Sequence, residues 1–348
     1  MKALTYNGRG NIRIEERPVP TLKAPTDVIV RIHKTTICGT DLHILRGNVA
    51  TVANGRILGH EGVGFVHSVG EKVRNFKLGD KVLISCITSC GQCENCKINF
   101  YGHCEDGGWQ LGNTIDGCQA EFVRIPHGDF SLHPVPADAD EEAMVMLSDI
   151  LPTGLEVGVL EGKVKQGNTV AVVGVGPVGL ASIMVATEFK PSRIIAIDRD
   201  PHRLEIAHSL GATHLINNSD GTAHAQIAQL THGKGVQVVI EAIGTPAGWD
   251  LSEKIVAAGG NIAILGVHGK SVTLHLEEMW KRNFTLTAGL VHTFTISSLT
   301  KRMLAGEIHP ERLISHHFKL SDIMNAYDVF GNAATHKSLK VIMENDYN

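Results

Sequence analysis

The sequence predicts an α/β protein in which a unit of alternating strands and helices is inserted into a strand-rich domain. Three observations predict this class. Short apolar or alternating runs, bounded by glycine and proline, occur before residue 150. From about residue 155 strands alternate with segments of helical period, which indicates a parallel sheet with crossover helices. After about residue 290 the pattern is mixed again, and this tail is too short to fold alone.

The strand-rich part and the tail contribute a first set of elements. The predicted strands of the first 150 residues are 27–35, 62–70 and 80–86. The segment 337–344, KSLKVIME, is predicted as the last strand of the chain. We therefore expect a discontinuous outer domain that the C-terminal segment completes.

The inserted unit contributes a second set of strands and helices. Its predicted strands are 169–173, 193–198, 236–244 and 261–266. Its predicted helices are 181–189, 201–210 and 223–232. Between Lys165 and Glu188 no residue is charged. Three glycines and a proline interrupt the apolar stretch 169–186, so a strand, a turn and a buried helix explain it better than a membrane span.

Composition restricts the class of function. The chain has 348 residues, which is enough for two domains, with 43% hydrophobic and 20% charged residues. A formal net charge of −4 argues against a nucleic-acid partner. The N-terminus, MKALTYNGRGN, lacks an apolar secretory segment, so we expect a cytoplasmic protein without a membrane partner.

A glycine motif predicts a nucleotide site. Gly174, Gly176 and Gly179 follow a predicted strand and open a predicted helix, as in dinucleotide-binding folds. Asp198 ends the next strand, where a carboxylate would bind the adenosine ribose hydroxyls of NAD. The alternatives are a plain turn and a helix-capping aspartate. Arg199 could accommodate the phosphate of NADP, so NAD is expected but NADP stays open.

Four cysteines in fifteen residues predict a structural metal site. Cys90, Cys93, Cys96 and Cys104 suit a closed tetrahedral zinc, because seven cysteines in a cytoplasmic chain favour metal binding over disulfides. An iron–sulfur cluster is the other interpretation. His103 could compete as a ligand.

A second set of ligands is dispersed. Cys38, His60 and Glu61 form the mixed set that holds a catalytic zinc with one position open. Taken singly, each would more often be structural, as a buried thiol, a hydrogen-bonded histidine or a surface glutamate.

These motifs together resemble one family. The segment 59–73, GHEGVGFVHSVGEKV, is similar to the signature of the zinc-containing alcohol dehydrogenases, in the medium-chain dehydrogenase family. CGTDLH at 38–43, the four-cysteine lobe and the nucleotide unit match in the same order. The resemblance implies a GroES-like catalytic domain at 1–151 and 291–348, a structural-zinc lobe at about 88–106, and a Rossmann domain at 152–290. It also implies a homotetramer or a homodimer.

The resemblance assigns roles in catalysis. Cys38, His60 and Asp149 would hold the catalytic zinc, with Glu61 as an exchangeable ligand, although Asp149 could instead be a helix cap or a surface residue. The aspartate is typical of a bacterial branch that includes secondary-alcohol dehydrogenases. Thr40 would take the proton of the alcohol and His43 would pass it to solvent. Either could instead be an ordinary turn or loop residue.

It also implies a set of binding residues. Trp109 would line the substrate pocket, or could simply pack. Arg203 would reach the adenosine ribose, Lys340 the pyrophosphate, and the backbone near Val267 and Leu290 the nicotinamide carboxamide. The expected cofactor-binding set is Gly174, Gly176, Pro177, Val178, Gly179, Asp198, Arg199, Arg203, Val267, Leu290 and Lys340.

The expected function is reversible hydride transfer between small primary or secondary alcohols and NAD, with one catalytic and one structural zinc per chain. A polyol, butanediol or threonine dehydrogenase of the same family is the alternative. A non-catalytic nucleotide-sensing protein is a different class, which the intact set of catalytic residues disfavours.

Overall fold

A computed structural model describes residues 1–347 and divides them into two compact units. One unit comprises Met1–Asp149 with residues 292–347, and the other comprises Ile150–Val291. These boundaries lie one or two residues from those expected from the sequence.

Sixteen strands occur in residues 1–347. They are β1 (Lys2–Tyr6), β2 (Ile12–Glu16), β3 (Val28–Thr36), β4 (Arg56–Ile57), β5 (Gly62–Val69), β6 (Lys81–Ile84), β7 (Phe122–Ile125), β8 (Leu132–Pro134), β9 (Thr169–Val173), β10 (Arg193–Asp198), β11 (His214–Asn217), β12 (Val236–Glu241), β13 (Val256–Ile264), β14 (Thr285–Ala288), β15 (Ile314–Lys319) and β16 (Lys340–Glu344).

Thirteen α-helices occur in the same described range. They are α1 (Gly39–Leu45), α2 (Glu94–Lys97), α3 (Gly128–Ser131), α4 (Glu141–Val145), α5 (Ile150–Thr153), α6 (Pro177–Ala186), α7 (Pro201–Ser209), α8 (Ala223–Leu230), α9 (Pro246–Ile255), α10 (Leu276–Met279), α11 (Ile296–Leu304), α12 (Ile323–Gly331) and α13 (Ala333–His336). A π-helical turn, Gly154–Leu160, continues α5.

The first unit is built on a mixed sheet of seven strands. Its order is β15-β16-β3-β5-β6-β8, with β7 also paired to β3. The C-terminal strand β16 lies antiparallel to β3, so the end of the chain completes the sheet that the N-terminal part begins. The alternation of residues in β3 and β5 places Val28, Val30, Ile32 and Val66 in one core, as the strand pattern predicts.

The second unit is a parallel sheet of six strands in the order β11-β10-β9-β12-β13-β14. Its central strands are buried on both faces, which explains their unbroken apolar sequences. The expected parallel sheet is confirmed, and β9 and β10 have the bounds that the sequence predicts. Strand β12 ends three residues earlier than expected, and β13 begins five residues earlier.

The two edge strands of this sheet were not predicted. Strands β11 and β14 have only four residues each, and their outward residues Leu215 and Leu286 are 40% exposed. Such short, half-exposed segments have neither a buried run nor a clear alternation, so pairing with a neighbouring strand decides their conformation.

The uncharged stretch before Glu188 forms β9, a glycine turn and α6. The last eight residues of α6 are all buried inside the second unit, which accounts for the absence of charge. Within residues 1–347, no helix has both the length and the apolar character that crossing a membrane requires.

Candidate active site

Four dispersed side chains of the first unit meet in one buried cluster. Cys38 precedes α1, His60 and Glu61 precede β5, and Asp149 follows α4. Each offers one ligand atom, and these four atoms lie within 4.8 Å of one another. Asp149 Oδ2 lies 3.5 Å from Cys38 Sγ and 3.4 Å from His60 Nε2.

These distances suit a tetrahedral metal ion. With zinc about 2.3 Å from sulfur and about 2.1 Å from oxygen or nitrogen, ligand atoms of one tetrahedron lie about 3.4–3.6 Å apart. The distances from Asp149 Oδ2 to Cys38 Sγ and to His60 Nε2 have this spacing. A thiolate, an imidazole and a carboxylate are also donor types that zinc accepts, so the residues fit the ion.

The charges of the cluster favour a cation at its centre. Burial raises the pKa of the Cys38 thiol, and the nearby Asp149 raises it further. Burial alone would lower the pKa of His60, but hydrogen bonds to Asp149 and Cys38 outweigh it and raise this pKa well above its usual value. Anionic donors crowded in a buried site are stabilised by a positive charge among them.

A buried polar network holds Cys38 in place. Asp41, in the first turn of α1, accepts a hydrogen bond from the backbone N–H of Cys38 (2.9 Å) and another from Gln119 Nε2 (3.2 Å). Gln119 in turn accepts one from the hydroxyl of Tyr327 (2.8 Å). This network was not predicted, although an aspartate three residues after a helix cap is a capping signal. It fixes the first turn of α1, and with it the thiol.

The chain turns sharply before His60. Gly59 has φ +89°, and a Cβ there would lie 2.7 Å from Gln119 Cγ, so both the conformation and the space require glycine. The next two residues then enter β5 with both side chains buried in the cluster.

Glu61 forms a buried ion pair with Lys340, which the sequence did not predict. Lys340 Nζ lies 2.7 Å from Glu61 Oε1 and 2.9 Å from Oε2, and it also donates to the carbonyl of Ile37 (3.0 Å). The lysine is about 1% exposed and its ammonium is bound inside the first unit, so its expected contact with a cofactor pyrophosphate stays a prediction. Glu61 Oε1 lies 3.9 Å from His60 Nε2, within reach of the ligand cluster.

Cys86 is a further member of the surroundings that the motifs did not indicate. Its side chain is buried, and its Sγ lies 3.7 Å from Asp149 Oδ1, the oxygen that does not face Cys38. Its backbone N–H donates to the carbonyl of Ser148 (3.1 Å). It follows β6 as a single apolar cysteine, and nothing in that sequence separates it from an ordinary core residue.

Three other expected residues surround the cluster. Thr40 lies in the first turn of α1 and is partly buried. His43, one turn further, is hydrogen-bonded through Nδ1 to Asn48 (3.2 Å), and burial together with Arg46 lowers its pKa. The ring of Trp109 lies 6.2 Å from that of His60, centre to centre, in an edge-on arrangement. Trp109 therefore borders the ligand cluster on the side of His60.

The four-cysteine segment forms a compact thiol cluster around α2. Cys90 and Cys96 have their sulfurs 3.9 Å apart, and those of Cys93 and Cys104 are 4.0 Å apart. A tetrahedral zinc with bonds of about 2.3 Å sets sulfurs about 3.8 Å apart, so the group fits the ion. Backbone N–H groups of Glu105 and Cys96 lower the pKa of Cys93 to about 6, which favours the thiolate that a metal needs.

His103 is not part of the group of four thiols. Its ring lies on Phe100, with 4.7 Å between ring centres, while all four thiols of the lobe form one group. The structure therefore brings together the four cysteines and leaves His103 in an aromatic contact.

In the second unit, the glycine motif forms a tight turn between β9 and α6. Gly174 has φ +90°, and a Cβ at Gly179 would lie 2.1 Å from the carbonyl oxygen of Gly174. At Gly176 a Cβ would meet only Arg203 Nη1, at 3.8 Å, so this position stays open. Pro177 and Val178 begin α6 just beyond. The helix N-terminus therefore presents its backbone to an uncrowded surface, as a phosphate site requires.

Asp198 ends β10 beside this turn. Its Oδ2 accepts the backbone N–H of Val175 (2.8 Å), and its Oδ1 accepts those of Arg199 (2.7 Å) and Asp200 (3.0 Å). The carboxylate thus organises the turn, and Oδ2, which accepts one hydrogen bond, retains a lone pair for a further donor. Arg199 is exposed next to it. Val267 and Leu290 are 41% and 37% exposed.

Comparison with known proteins places this architecture in one family. The family model for the alcohol dehydrogenase GroES-like domain matches residues 24–137, and that for the zinc-binding dehydrogenase matches residues 177–304. An alcohol dehydrogenase from Cupriavidus necator is 34% identical over 95% of each chain.

Two solved structures have the same fold. Zinc-dependent alcohol dehydrogenase 2 from Streptococcus pneumonia, in its apo form, is 51% identical, with a TM-score of 0.96 over 100% of this chain and 99% of that one. The rspB protein of Escherichia coli CFT073, described as a short chain alcohol dehydrogenase in complex with NADH, is 26% identical, with a TM-score of 0.89 over 99% of both chains. The chain belongs to the zinc-dependent alcohol dehydrogenase family.

Proposed function

We propose that the protein is a zinc-dependent alcohol dehydrogenase that transfers hydride reversibly between small primary or secondary alcohols and NAD. The observation that carries the proposal is the buried group of Cys38, His60 and Asp149, whose donor atoms have the spacing of zinc ligands. Family membership supports the reaction class.

The first unit would hold the zinc and handle the proton. Zinc, when bound, supplies a Lewis acid that lowers the pKa of an alcohol oxygen, and NAD supplies the hydride acceptor. Cys38, His60 and Asp149 would hold the ion. Thr40 is two residues from Cys38 on α1, so its hydroxyl is our candidate to accept the proton of the alcohol. His43, one turn along the same helix, would release it to solvent, and its lowered pKa keeps the ring neutral and able to accept.

The second unit would hold the cofactor. The turn at Gly174, Gly176 and Gly179 would bind the pyrophosphate, with Arg203 close to Gly176, while Asp198 would accept the ribose hydroxyls. A 2′-phosphate would meet the charge of Asp198, which favours NAD, although exposed Arg199 keeps NADP a weaker option. Backbone groups near Val267 and Leu290 would bind the nicotinamide carboxamide.

The closed thiol cluster would carry a second zinc that stabilises its lobe and takes no part in the reaction. We further propose a cytoplasmic homotetramer, with a homodimer as the alternative. Trp109 beside His60 would wall the substrate pocket and exclude water. The identity of the alcohol, whether a simple alcohol, a polyol, butanediol or threonine, depends on loops around this wall.

The test is a panel of ethanol, 2-propanol, 2,3-butanediol, sorbitol and threonine, each assayed with NAD and with NADP, on protein of measured metal content. We expect about two zinc ions per chain, turnover that a chelator abolishes, and a preference for NAD. A protein with one zinc and no turnover of any alcohol would refute the proposal and support the nucleotide-sensing alternative.

A further inference from the structure

Glu241, the last residue of β12, has a fully buried carboxylate that ties together two loops of the second unit. Its Oε1 accepts the backbone N–H groups of Ile243 and Gly244, both at 3.0 Å. Its Oε2 lies 3.3 Å from Nε2 of His268, on the loop that follows β13. One carboxylate therefore links the loop after one strand to the loop after the next.

The two loops are in direct backbone contact at this point. A Cβ at Gly244 would lie 2.4 Å from the carbonyl oxygen of Val267, and one at Gly266 would lie 2.1 Å from the nitrogen of Gly244. A Cβ at Gly248, in the first turn of α9, would lie 2.4 Å from Glu241 Oε1. Three glycines thus leave room for the carboxylate and for both loops, which no larger residues would allow.

The position of the tie relates it to the cofactor. In parallel sheets of this type, ligands bind outside the carboxyl ends of the strands, where the strand order changes direction. Here that point lies between β9, which carries the glycine turn, and β12. Asp198 follows β10, on the adenosine side, so the loops after β12 and β13 lie on the side of the other nucleotide half. His268 immediately follows Val267, whose backbone we assign to the nicotinamide carboxamide.

The electrostatic surroundings of Glu241 and His268 are consistent with a positioning role. Burial raises the pKa of the Glu241 carboxyl, and the two backbone N–H groups and His268 counter this effect. The N-terminus of α9, a helix of ten residues, also favours an anion there. The backbone donors bind Oε1 most closely, and His268 is the side-chain partner of Oε2. The effect of the imidazole is on the loop that carries it.

We infer that the Glu241–His268 pair is a positioning device that fixes the loop at Val267 and so determines the affinity for the nicotinamide half of the dinucleotide. The inference rests on the proposed function. Neither residue is assigned to the chemical step. Loss of the tie allows the loop to adopt other conformations, and the cofactor must then select the competent one, which weakens its binding.

The experiment compares two ligands, NADH and ADP-ribose, of which only NADH carries a nicotinamide ring. Calorimetry on the zinc-loaded enzyme measures Kd for NADH and for ADP-ribose, which has the adenosine and pyrophosphate but no nicotinamide. For His268→Ala we expect a Kd for NADH about tenfold higher, with Kd for ADP-ribose unchanged within about twofold. His268→Gln, which keeps a donor, should recover much of the NADH affinity. In turnover, KM for NAD should rise more than kcat falls.

A matched control is His275→Ala. His275 also pairs with a buried glutamate of the second unit, Glu253, at 2.7 Å, but it immediately precedes α10, at the opposite end of the loop from Gly266 and Val267. It should leave both dissociation constants unchanged, whatever it does to stability.

Two results would overturn the inference alone. If His268→Ala leaves NADH binding unchanged, the tie does not position the cofactor. If it weakens NADH and ADP-ribose equally, the pair supports the fold generally. Failure of the unaltered enzyme to bind either ligand is a different outcome, since it refutes the proposed function and the inference with it.

Discussion

The ammonium of Lys340 lies between the two carboxylate oxygens of Glu61, at 2.7 and 2.9 Å, with both side chains about 1% exposed. Glu61 raises the pKa of Lys340, which outweighs the opposing effect of burial and keeps the lysine charged. Because β16 belongs to the C-terminal segment and Glu61 adjoins the candidate zinc ligands, this ion pair connects the end of the chain to the active site.

Replacing Lys340 with methionine should destabilise the first unit strongly. The change leaves the Glu61 charge buried without its partner, so we expect the free energy of unfolding to fall by about 3–5 kcal/mol. Urea unfolding of the zinc-loaded protein measures it. The double variant Lys340→Met/Glu61→Gln should recover part of the loss. Lys319→Met, which breaks the exposed pair with Glu344, should cost less than about 1 kcal/mol. Similar losses of unfolding free energy in the two lysine variants would show that burial does not determine how much each ion pair stabilises the protein.

The two thiol sites should respond differently to serine. Cys38→Ser removes a ligand from the candidate catalytic site, and we expect a folded protein with no measurable turnover and about one zinc fewer per chain. Cys93→Ser opens the closed cluster, which should lower the melting temperature while the remaining folded enzyme turns over alcohol. Circular dichroism, metal analysis and initial rates distinguish the cases. The reverse pattern would exchange the assignments of the two sites.

Asp149 should behave as a metal ligand and not as a helix cap. Asp149→Ala is expected to lower zinc affinity by at least about tenfold, since it removes a direct ligand. Asp140 provides the matched control: it caps α4 by accepting the N–H groups of Glu142 and Ala143. Asp140→Ala should cost about 1 kcal/mol of stability and keep the zinc. Equal zinc affinity in both variants would remove Asp149 from the ligand set.

Acid should destabilise the first unit through the two glutamates of α4. Glu141 contacts His33 (2.5 Å) and Lys81, and Glu142 contacts Lys34 (2.7 Å). Burial raises their pKa values, but these partners more than offset it, and both are lowered from 4.5.

A lowered pKa in the folded state means that this stabilisation is present above the unfolded value and is lost as pH falls through the folded one. Glu141→Gln should therefore lose less stability than the unaltered protein when pH is lowered below about 4.5. Urea unfolding at several pH values measures this, with exposed Glu311→Gln as control. An unchanged slope with pH in Glu141→Gln would contradict the prediction.

Asp198 should determine cofactor preference. Asp198→Ala removes the charge opposed to a 2′-phosphate and the acceptor of three backbone N–H groups. We expect kcat/KM for NAD to fall and the NAD-to-NADP ratio to shift by at least about tenfold. Asp220→Ala, at an exposed turn, is the control. A ratio that stays constant would exclude a role for Asp198 in discrimination.

Much of the fold could be predicted from local sequence. Apolar runs that alternate with helical segments predicted the central strands β9 and β10, because a doubly buried strand requires unbroken apolar residues. The short edge strands β11 and β14 carry no such requirement, so their pairing with neighbours had to be seen in the structure.

The candidate site divides in the same way. The close spacing of Cys90, Cys93 and Cys96 indicates one metal group by itself, because residues so near in sequence must be near in space. Asp149 had to be placed by resemblance, since 88 residues separate it from Glu61. The partners Gln119, Tyr327 and Cys86 had no motif, and the ion pair of Lys340 with Glu61 was not predicted.

The sequence by itself determined the chemical inventory: the glycine turn after a buried strand, the thiol-rich lobe and the mixed set of zinc donors. The first two depend on residue type and short spacing, which the chain carries locally, and the third depends on the combination of donor types. Only the tertiary structure decided the pairings that span the chain, such as Lys340 with Glu61 and His268 with Glu241. A charged side chain can satisfy several partners equally well in principle, and burial selects among them only once the strands are assembled.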